Sequence, residues 1–306
     1  MSEQEERFAE IFAKLHARHP NCLADEWLTE TCRLANGKPD PRPIAWSRRN
    51  GPWRQVDILW VGAAPGNAGG KGAGNLGAHA TRIPFGGDIA GANLDVLFGS
   101  IGITRNDTFI TASLNSLPAA GGGEPTFAEL SARVGAYPSS LHSVRDTMLA
   151  CGPRLIVALG NVGLRVLIAA AQLEASAVAL PTQRRLEKAG LARHQVIAWP
   201  EGLAPDSHYA EEWAARWSHA LPHLLWLTHP SAQNMSPYAG KHTVFHTRML
   251  ETRDALRKAV KEVLGWKLPK QRAEYPTTGI YALKEWVELV GPRHEQLDAL
   301  WREKGV

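Results

Sequence analysis

Cysteine is scarce in this chain, and its scarcity excludes several classes of protein. The three cysteines, Cys22, Cys32 and Cys151, are odd in number and irregularly spaced. A secreted disulfide framework needs paired cysteines. A four-cysteine zinc site or iron–sulfur cluster needs four thiolates. We therefore predict neither a disulfide scaffold nor a metal site of this kind.

Long apolar runs are lacking as well. No run approaches the roughly 20 residues that a membrane-spanning helix requires. Residues 1–7 are acidic and polar, which is unlike the basic and apolar pattern of a secretory signal. We expect a cytoplasmic protein with no membrane partner.

The composition is that of a folded protein with a mild basic excess. The chain has 306 residues, of which 44% are hydrophobic, which suffices for one large α/β domain with extensions or for two small domains. The formal net charge is +4 and the isoelectric point is about 9.0. This balance is compatible with a nucleic-acid partner, but it does not establish one.

Short apolar runs alternate with helical patterns through the middle of the chain. This alternation predicts the α/β class, as a three-layer α/β/α sandwich around a central, mostly parallel sheet of four to five strands. The predicted strands occupy 56–61, 108–114, 154–159, 195–199 and 224–227.

Three parts of the chain differ in pattern. We predict an N-terminal helical extension over 1–52 and a central α/β domain over 53–264, with an insertion near 172–223. A C-terminal helical extension over 265–306 follows a proline-containing linker. The basic helix predicted over 245–264 is interpreted equally well as a solvated face or as a contact with DNA phosphates.

Three loops follow predicted strands and are candidates for a ligand site. They cover 62–88, 111–118 and 229–234. Because ligands of parallel sheets bind beyond the carboxyl ends of the strands, these loops are expected to meet.

The first loop is rich in small residues, which let a backbone approach a ligand closely. It begins Gly62-Ala63-Ala64-Pro65-Gly66 and continues to Pro84-Phe85-Gly86-Gly87-Asp88. A nucleotide phosphate loop is a competing interpretation, but neither G-x-G-x-x-G nor G-x-x-x-x-G-K-[ST] stands in this place.

The other two loops carry short polar residues. The second strand ends in Thr111-Ala112-Ser113-Leu114-Asn115, and the third loop reads His229-Pro230-Ser231-Ala232-Gln233-Asn234. A single histidine is more often structural. The position of His229 directly after a strand, with proline and polar residues behind it, favours a functional role.

Together and in this order, the three loops resemble the motifs of the uracil-DNA glycosylase superfamily, over about 56–234. The Gly-Asp after Phe85 and the Gln-Asn after His229-Pro230-Ser231 are closest to the type-b, or family 5, enzymes. The related thermophilic families carry four cysteines for an iron–sulfur cluster, which this chain lacks. Two further positions differ, since Ala63 and Ala112 stand where many members have polar residues.

The resemblance implies a fold, an activity and a set of site residues. A monofunctional DNA glycosylase flips a damaged or modified base out of DNA and hydrolyses its N-glycosidic bond. Asp88 would position water and stabilise the cationic sugar, although it would also serve as a helix N-cap. His229 would donate a hydrogen bond to the departing base. No cofactor and no metal are implied, and we expect a monomer whose partner is DNA.

The remaining roles follow from the same resemblance. Phe85 would stack on the base, although a phenylalanine here is otherwise an ordinary core residue. The residues expected to line the base pocket are Gly62, Ala63, Ala64, Pro65, Gly66, Phe85, Ala112 and Asn115. Those expected to contact DNA, with the last three filling the gap left by the flipped base, are Ser231, Gln233, Asn234 and Met235.

Gly66 bears on the choice of base. In the most uracil-selective members of the superfamily, a bulky aromatic residue at this place blocks bases with a 5-substituent. Gly66 leaves that side open, so we expect a range broader than, or different from, uracil alone. Hypoxanthine, xanthine and bulky modified pyrimidines of phage DNA are candidates.

Three alternatives remain open. The chain is a glycosylase for modified phage bases that acts in antiviral defence, or a non-catalytic DNA-binding protein on the same fold, or a nucleotide-phosphate-binding protein that uses its glycine loop. Retention of both Asp88 and His229 speaks against the second. Tight nucleotide binding without DNA cleavage would identify the third.

Overall fold

A five-stranded sheet forms the centre of the structure, a computed structural model. The residues that it describes are Glu6, Glu10, 55–64, Phe85, 89–103, 107–114, 125–132, 139–174, 179–230 and 242–270. The strands are β1 (Ile58–Gly62), β2 (Phe109–Ala112), β3 (Leu155–Leu159), β4 (Val196–Ile197) and β5 (His223–Leu227). The helical extensions predicted over 1–52 and 265–306 lie mostly outside the described residues. Glu6 and Glu10 are helical, and residues 265–270 are described but not helical.

The strands stand in the order β2-β1-β3-β5-β4. The first four are parallel, and only β4 pairs with its neighbour in the antiparallel sense. At least one helix lies between successive parallel strands along the chain, as parallel connections require. The predicted α/β fold with a mostly parallel sheet is confirmed.

Helices cover both faces of the sheet. They are α1 (Ile89–Ile101), α2 (Phe127–Ser131), α3 (Ser140–Cys151), α4 (Gly160–Ala170), α5 (Gln183–Lys188), α6 (Ser207–Arg216) and α7 (His242–Ala259), which continues as a π turn over Val260–Leu264. A short 3₁₀ turn spans Glu201–Leu203.

Successive side chains of a strand point to opposite faces of the sheet, and both faces are packed against helices, so the apolar runs are continuous. Ile58 and Trp60 pack against α1 and α7 on one face, whereas Leu59 and Val61 pack against α3 and α4 on the other. Because helices cover both faces of the sheet, neither side of the strand meets solvent, and apolar residues are favoured on both. The indole of Trp60 meets the ring of Phe98 edge to face, with centroids 4.9 Å apart.

The segment predicted as an insertion near 172–223 contributes to the same core. Tyr209 and Trp213 of α6 are buried in the cluster that covers one face of the sheet. An ion pair between buried Arg145 of α3 and Asp206, 3.5 Å apart, joins this segment to α3. Asp206 also accepts a hydrogen bond from the backbone N–H of Tyr209 and so caps α6.

Candidate functional site

The carboxyl ends of four parallel strands meet at one edge of the sheet, which we call the carboxyl edge. Gly62 of β1 is in register with Ala112 of β2, and Leu159 of β3 with Leu227 of β5. The residues that follow these ends include Ala63, Ser113, Gly160 and His229. The described parts of the three candidate loops therefore lie at the same edge, as expected of loops that follow parallel strands.

Ser113 fixes the end of β1 to the end of β2. Its backbone N–H and its hydroxyl both donate to the carbonyl of Gly62, at 2.9 and 2.7 Å. The N–H of Leu114 donates to the carbonyl of Ala63 at 3.0 Å. Ala63, Ala64 and Ala112 are each partly exposed here, so this part of the edge is lined by methyl groups and backbone.

Phe85 lies directly over the end of β1. A Cβ atom on Gly62 would come within 2.9 Å of Phe85 Cζ, so the ring needs a glycine beneath it. The φ angle of Phe85 is +55°, a left-handed conformation that costs an L-residue about 1–2 kcal/mol. Such strain persists where the surroundings impose it, often at functional sites. The conformation brings the Phe85 ring to the sheet edge.

His229 shares this place with Phe85. The two ring centroids are 5.7 Å apart and the rings are tilted by 43°. Gly160, at the start of α4, has a φ of +82°, and a Cβ atom there would lie 3.3 Å from the Cβ of His229. His229 is thus enclosed by Phe85 on one side and by the backbone of Gly160 on another, and it remains partly exposed.

Hydrogen bonds hold the chain on both sides of His229. Before it, the hydroxyl of Thr228 bonds with His194 Nε2 at 3.1 Å. After it, the side-chain amide of Asn93 donates to the carbonyl of Pro230 at 2.8 Å, and Asn93 is fully buried. These contacts fix the backbone that carries the imidazole.

A comparison with known families identifies the family of the chain. The family model described as the Uracil DNA glycosylase superfamily matches residues 49–264. This chain belongs to that superfamily. A comparison with curated proteins gave no match.

Superfamily membership gives the site its general chemistry. Uracil DNA glycosylase superfamily proteins are hydrolases of base excision repair that act on DNA. A flat aromatic ring beside an imidazole suits that task, because a base can stack on the first and accept a hydrogen bond from the second. Among the described residues, no group of three metal-ligating side chains is arranged to hold a metal ion. No helix in the described part of the chain has the length and apolarity that crossing a bilayer demands.

Several predicted site residues lie outside the described residues. They are Asp88, Pro65, Gly66, Asn115, Ser231, Gln233, Asn234 and Met235. Asp88 immediately precedes Ile89, the first residue of α1. The predicted residues that the structure brings together at the carboxyl edge are Gly62, Ala63, Ala64, Phe85, Ala112 and His229.

Sequence reasoning assigned no role to four residues at this edge: Asn93, Ser113, Arg193 and His194. Asn93 carried a usable signal, because it lies on the same side of its helix as Ala90, Leu94 and Leu97. A polar residue among buried apolar neighbours needs a partner. The bonds of His194 and Arg193 join segments distant in the chain, so no local pattern indicates them.

The basic end of α7 lies at the opposite edge of the sheet, which we call the amino edge. Arg257 donates to the carbonyls of Ser100, at the end of α1, and Pro269. Arg154, directly before β3, donates to the carbonyl of Val263 at 2.7 Å. These contacts favour the structural interpretation for this end of the helix, because it lies away from Phe85 and His229.

Proposed function

We propose that this chain is a monofunctional DNA glycosylase with a base range broader than, or different from, uracil alone. The observation that carries the proposal is the placement of Phe85, Gly62 and His229 at one sheet edge, in a chain of this superfamily. The base would leave the duplex, stack on Phe85 and accept a hydrogen bond from His229.

The proposed reaction is hydrolysis of the bond between C1′ of the deoxyribose and the base nitrogen. As that bond breaks, its electron pair leaves with the base and the sugar becomes cationic. A water oxygen bonds to C1′ and loses one proton, and the departing base gains one, so the products are an abasic sugar and a neutral base. Asp88 is assigned to hold this water and to stabilise the cation, and His229 to stabilise the negative charge on the departing base.

The wider range rests on small side chains around the base. Ala63 and Ala112 end in methyl groups at the carboxyl edge and offer no side-chain hydrogen bond to read uracil. Gly66 provides no bulk to exclude a 5-substituent. Hypoxanthine, xanthine and bulky modified pyrimidines are therefore the candidate bases, and the last of these would favour a role in defence against phage.

Within the superfamily, we assign the chain nearest to the type-b enzymes, but without their iron–sulfur cluster. The chain has three cysteines, fewer than the four thiolates of such a cluster. Cys151 is buried at the end of α3. Its carbonyl accepts a bond from the N–H of Val56 at the amino edge. The residues present do not fit a cluster, and no step depends on one.

The test is a panel of duplex oligonucleotides, each with one altered base, incubated with the protein and then treated with alkali. Strand breaks at any base reveal an abasic site. We expect excision of at least one base besides uracil. Cleavage of uracil alone would contradict the wider range. DNA binding without strand breaks would support the non-catalytic alternative.

Two variants test the assigned roles on whichever base is excised. Asp88→Asn and His229→Ala should each reduce the single-turnover rate by about 10²–10³-fold, the usual loss when one preorganised group is removed. Matched controls are Asp57→Asn and His223→Ala, which change the same residue types at the amino edge, before β1 and at the start of β5. Equal losses in the controls would contradict the assignment.

A further inference from the structure

Arg193 lies at the carboxyl edge close to His229. The backbone N–H of His194 donates to the carbonyl of Trp226 at 2.8 Å, which places this part of the chain beside the end of β5. The guanidinium of Arg193 donates through Nη2 to Asn161 Oδ1 at 3.0 Å. Asn161 directly follows Gly160, where an added Cβ atom would lie 3.3 Å from the Cβ of His229. Consecutive Cα atoms are about 3.8 Å apart, so Arg193 and His229 both lie beside the first two residues of α4.

The guanidinium of Arg193 is held in place by two neighbouring side chains. Its Cζ lies 5.2 Å from the centroid of the Trp226 ring, over the ring face. Arg193 is exposed, and no carboxylate in the described part of the chain lies within ion-pair distance of it. By contrast, Arg145 pairs with Asp206. An arginine has five N–H donors, so one bond to Asn161 leaves donors for a ligand.

The chain leading to Arg193 adds positive charge. Residues 183–193 contain four cations and one carboxylate, Glu187, and that carboxylate accepts a bond from Gln183 at 2.9 Å. The three other cations, Arg184, Arg185 and Lys188, are exposed on α5. A polyanion is the partner that such a surface suits.

We propose that Arg193 binds a DNA phosphate beside the extruded nucleotide; this inference rests on the proposed function. A guanidinium matches the paired oxygens of a phosphate diester, and a guanidinium that is already oriented loses less entropy on binding. Trp226 and Asn161 provide that orientation. The contact reads no base, so it strengthens binding equally for every lesion and sequence.

The test is equilibrium binding of a duplex carrying a tetrahydrofuran abasic analogue, measured by fluorescence anisotropy over a series of salt concentrations. Arg193→Met removes the charge while keeping an apolar cover on Trp226, and Arg193→Lys keeps the charge. Arg193→Met should lower the slope of log Kd against log salt by about 0.9, which corresponds to about fivefold weaker binding near 0.15 M salt. Arg193→Lys should retain most of the slope.

Lys261→Met is the matched control, because it removes an exposed cation in the π turn at the amino edge. Its salt slope should equal that of the unaltered chain. If Arg193→Met lowers the melting temperature but leaves the slope unchanged, the arginine only covers Trp226 and the proposal is overturned. Excision by the unaltered chain would then still support the proposed function. Absence of both binding and excision in the unaltered chain would overturn both proposals.

Discussion

Replacing Asn93 by leucine is expected to slow base excision while the protein stays folded. Asn93 is fully buried in α1, the helix that begins directly after Asp88. Its amide donates to the carbonyl of Pro230, the residue after His229. One side chain thus joins the helix that follows the proposed carboxylate to the loop that carries the imidazole.

The effect of Asn93→Leu on stability is expected to be small, because two contributions oppose each other. Loss of the bond leaves the carbonyl of buried Pro230 without its partner, which costs about 1–3 kcal/mol. However, Asn93 Oδ1 has no hydrogen-bond partner among the residues that the structure describes. Removing this buried polar atom recovers a similar amount, and leucine fills a similar volume. The free energy of unfolding should therefore change by less than about 2 kcal/mol.

The effect on catalysis should be larger. Without the bond, the backbone after His229 is held less firmly, and the imidazole can move relative to Phe85. A displacement of about 1 Å at a reacting centre costs on the order of 10²-fold in rate. We expect the single-turnover rate to fall by about 10-fold to 100-fold. The affinity for DNA with an abasic analogue should change by less than about threefold, since Asn93 is buried away from DNA.

The assay pairs single-turnover excision with thermal melting, and Ser100→Ala is the control. Ser100 is a buried residue at the other end of α1, and its hydroxyl donates to the carbonyl of Leu97 at 2.7 Å. It should lose a comparable amount of stability and retain the excision rate. Equal rates for Asn93→Leu and the unaltered chain would refute the idea that this bond positions His229.

Two further predictions concern the same edge. Gly62→Ala should displace the Phe85 ring, because its Cβ would come within 2.9 Å of Phe85 Cζ; we expect about tenfold slower excision, since a stacked base contributes on the order of 1–3 kcal/mol. Gly202→Ala, with no atom nearer than 3.8 Å, should be neutral in the same assay, and a wild-type rate in Gly62→Ala would contradict the role of the ring. Burial lowers the pKa of His194 below 6.5, while nearby Glu251 opposes that shift and Arg193 adds to it. The unfolded chain then binds more protons than the folded one below pH 6.5, so this stabilisation is complete above that pH and declines as the pH falls towards the lowered value. His194→Gln should flatten the decline in melting temperature on acidification, and an unchanged pH profile would argue against the shift.

The strands could be predicted from the sequence, because each strand that helices cover on both faces is a continuous apolar run. The segment 154–159 illustrates this, since the strand occupies Leu155–Leu159. Helix α2 was missed, although Thr126 and Glu129 form a capping box at its start. That helix is five residues long, too short for an apolar period to emerge.

The candidate site was predictable as far as its residues follow strand ends. The motifs of Gly62 and His229 have this property, and the sheet brings them together. Asn93, which bonds to Pro230, and Arg193, which contacts Trp226, do not follow strand ends. Both depend on tertiary packing between segments whose local patterns are those of an ordinary helix and an ordinary turn.

The cations at the two edges of the sheet have different neighbours. At the amino edge, Arg257 donates to two carbonyls and Lys258 pairs with Glu262 at 3.9 Å. These cations stabilise the end of α7. At the carboxyl edge, Arg193 lies over the Trp226 ring and donates to the Asn161 amide. In the proposal above, Arg193 is the cation that meets a DNA phosphate, because it lies on the same side of the sheet as His229, whereas the cations of α7 that are named here lie at the opposite edge.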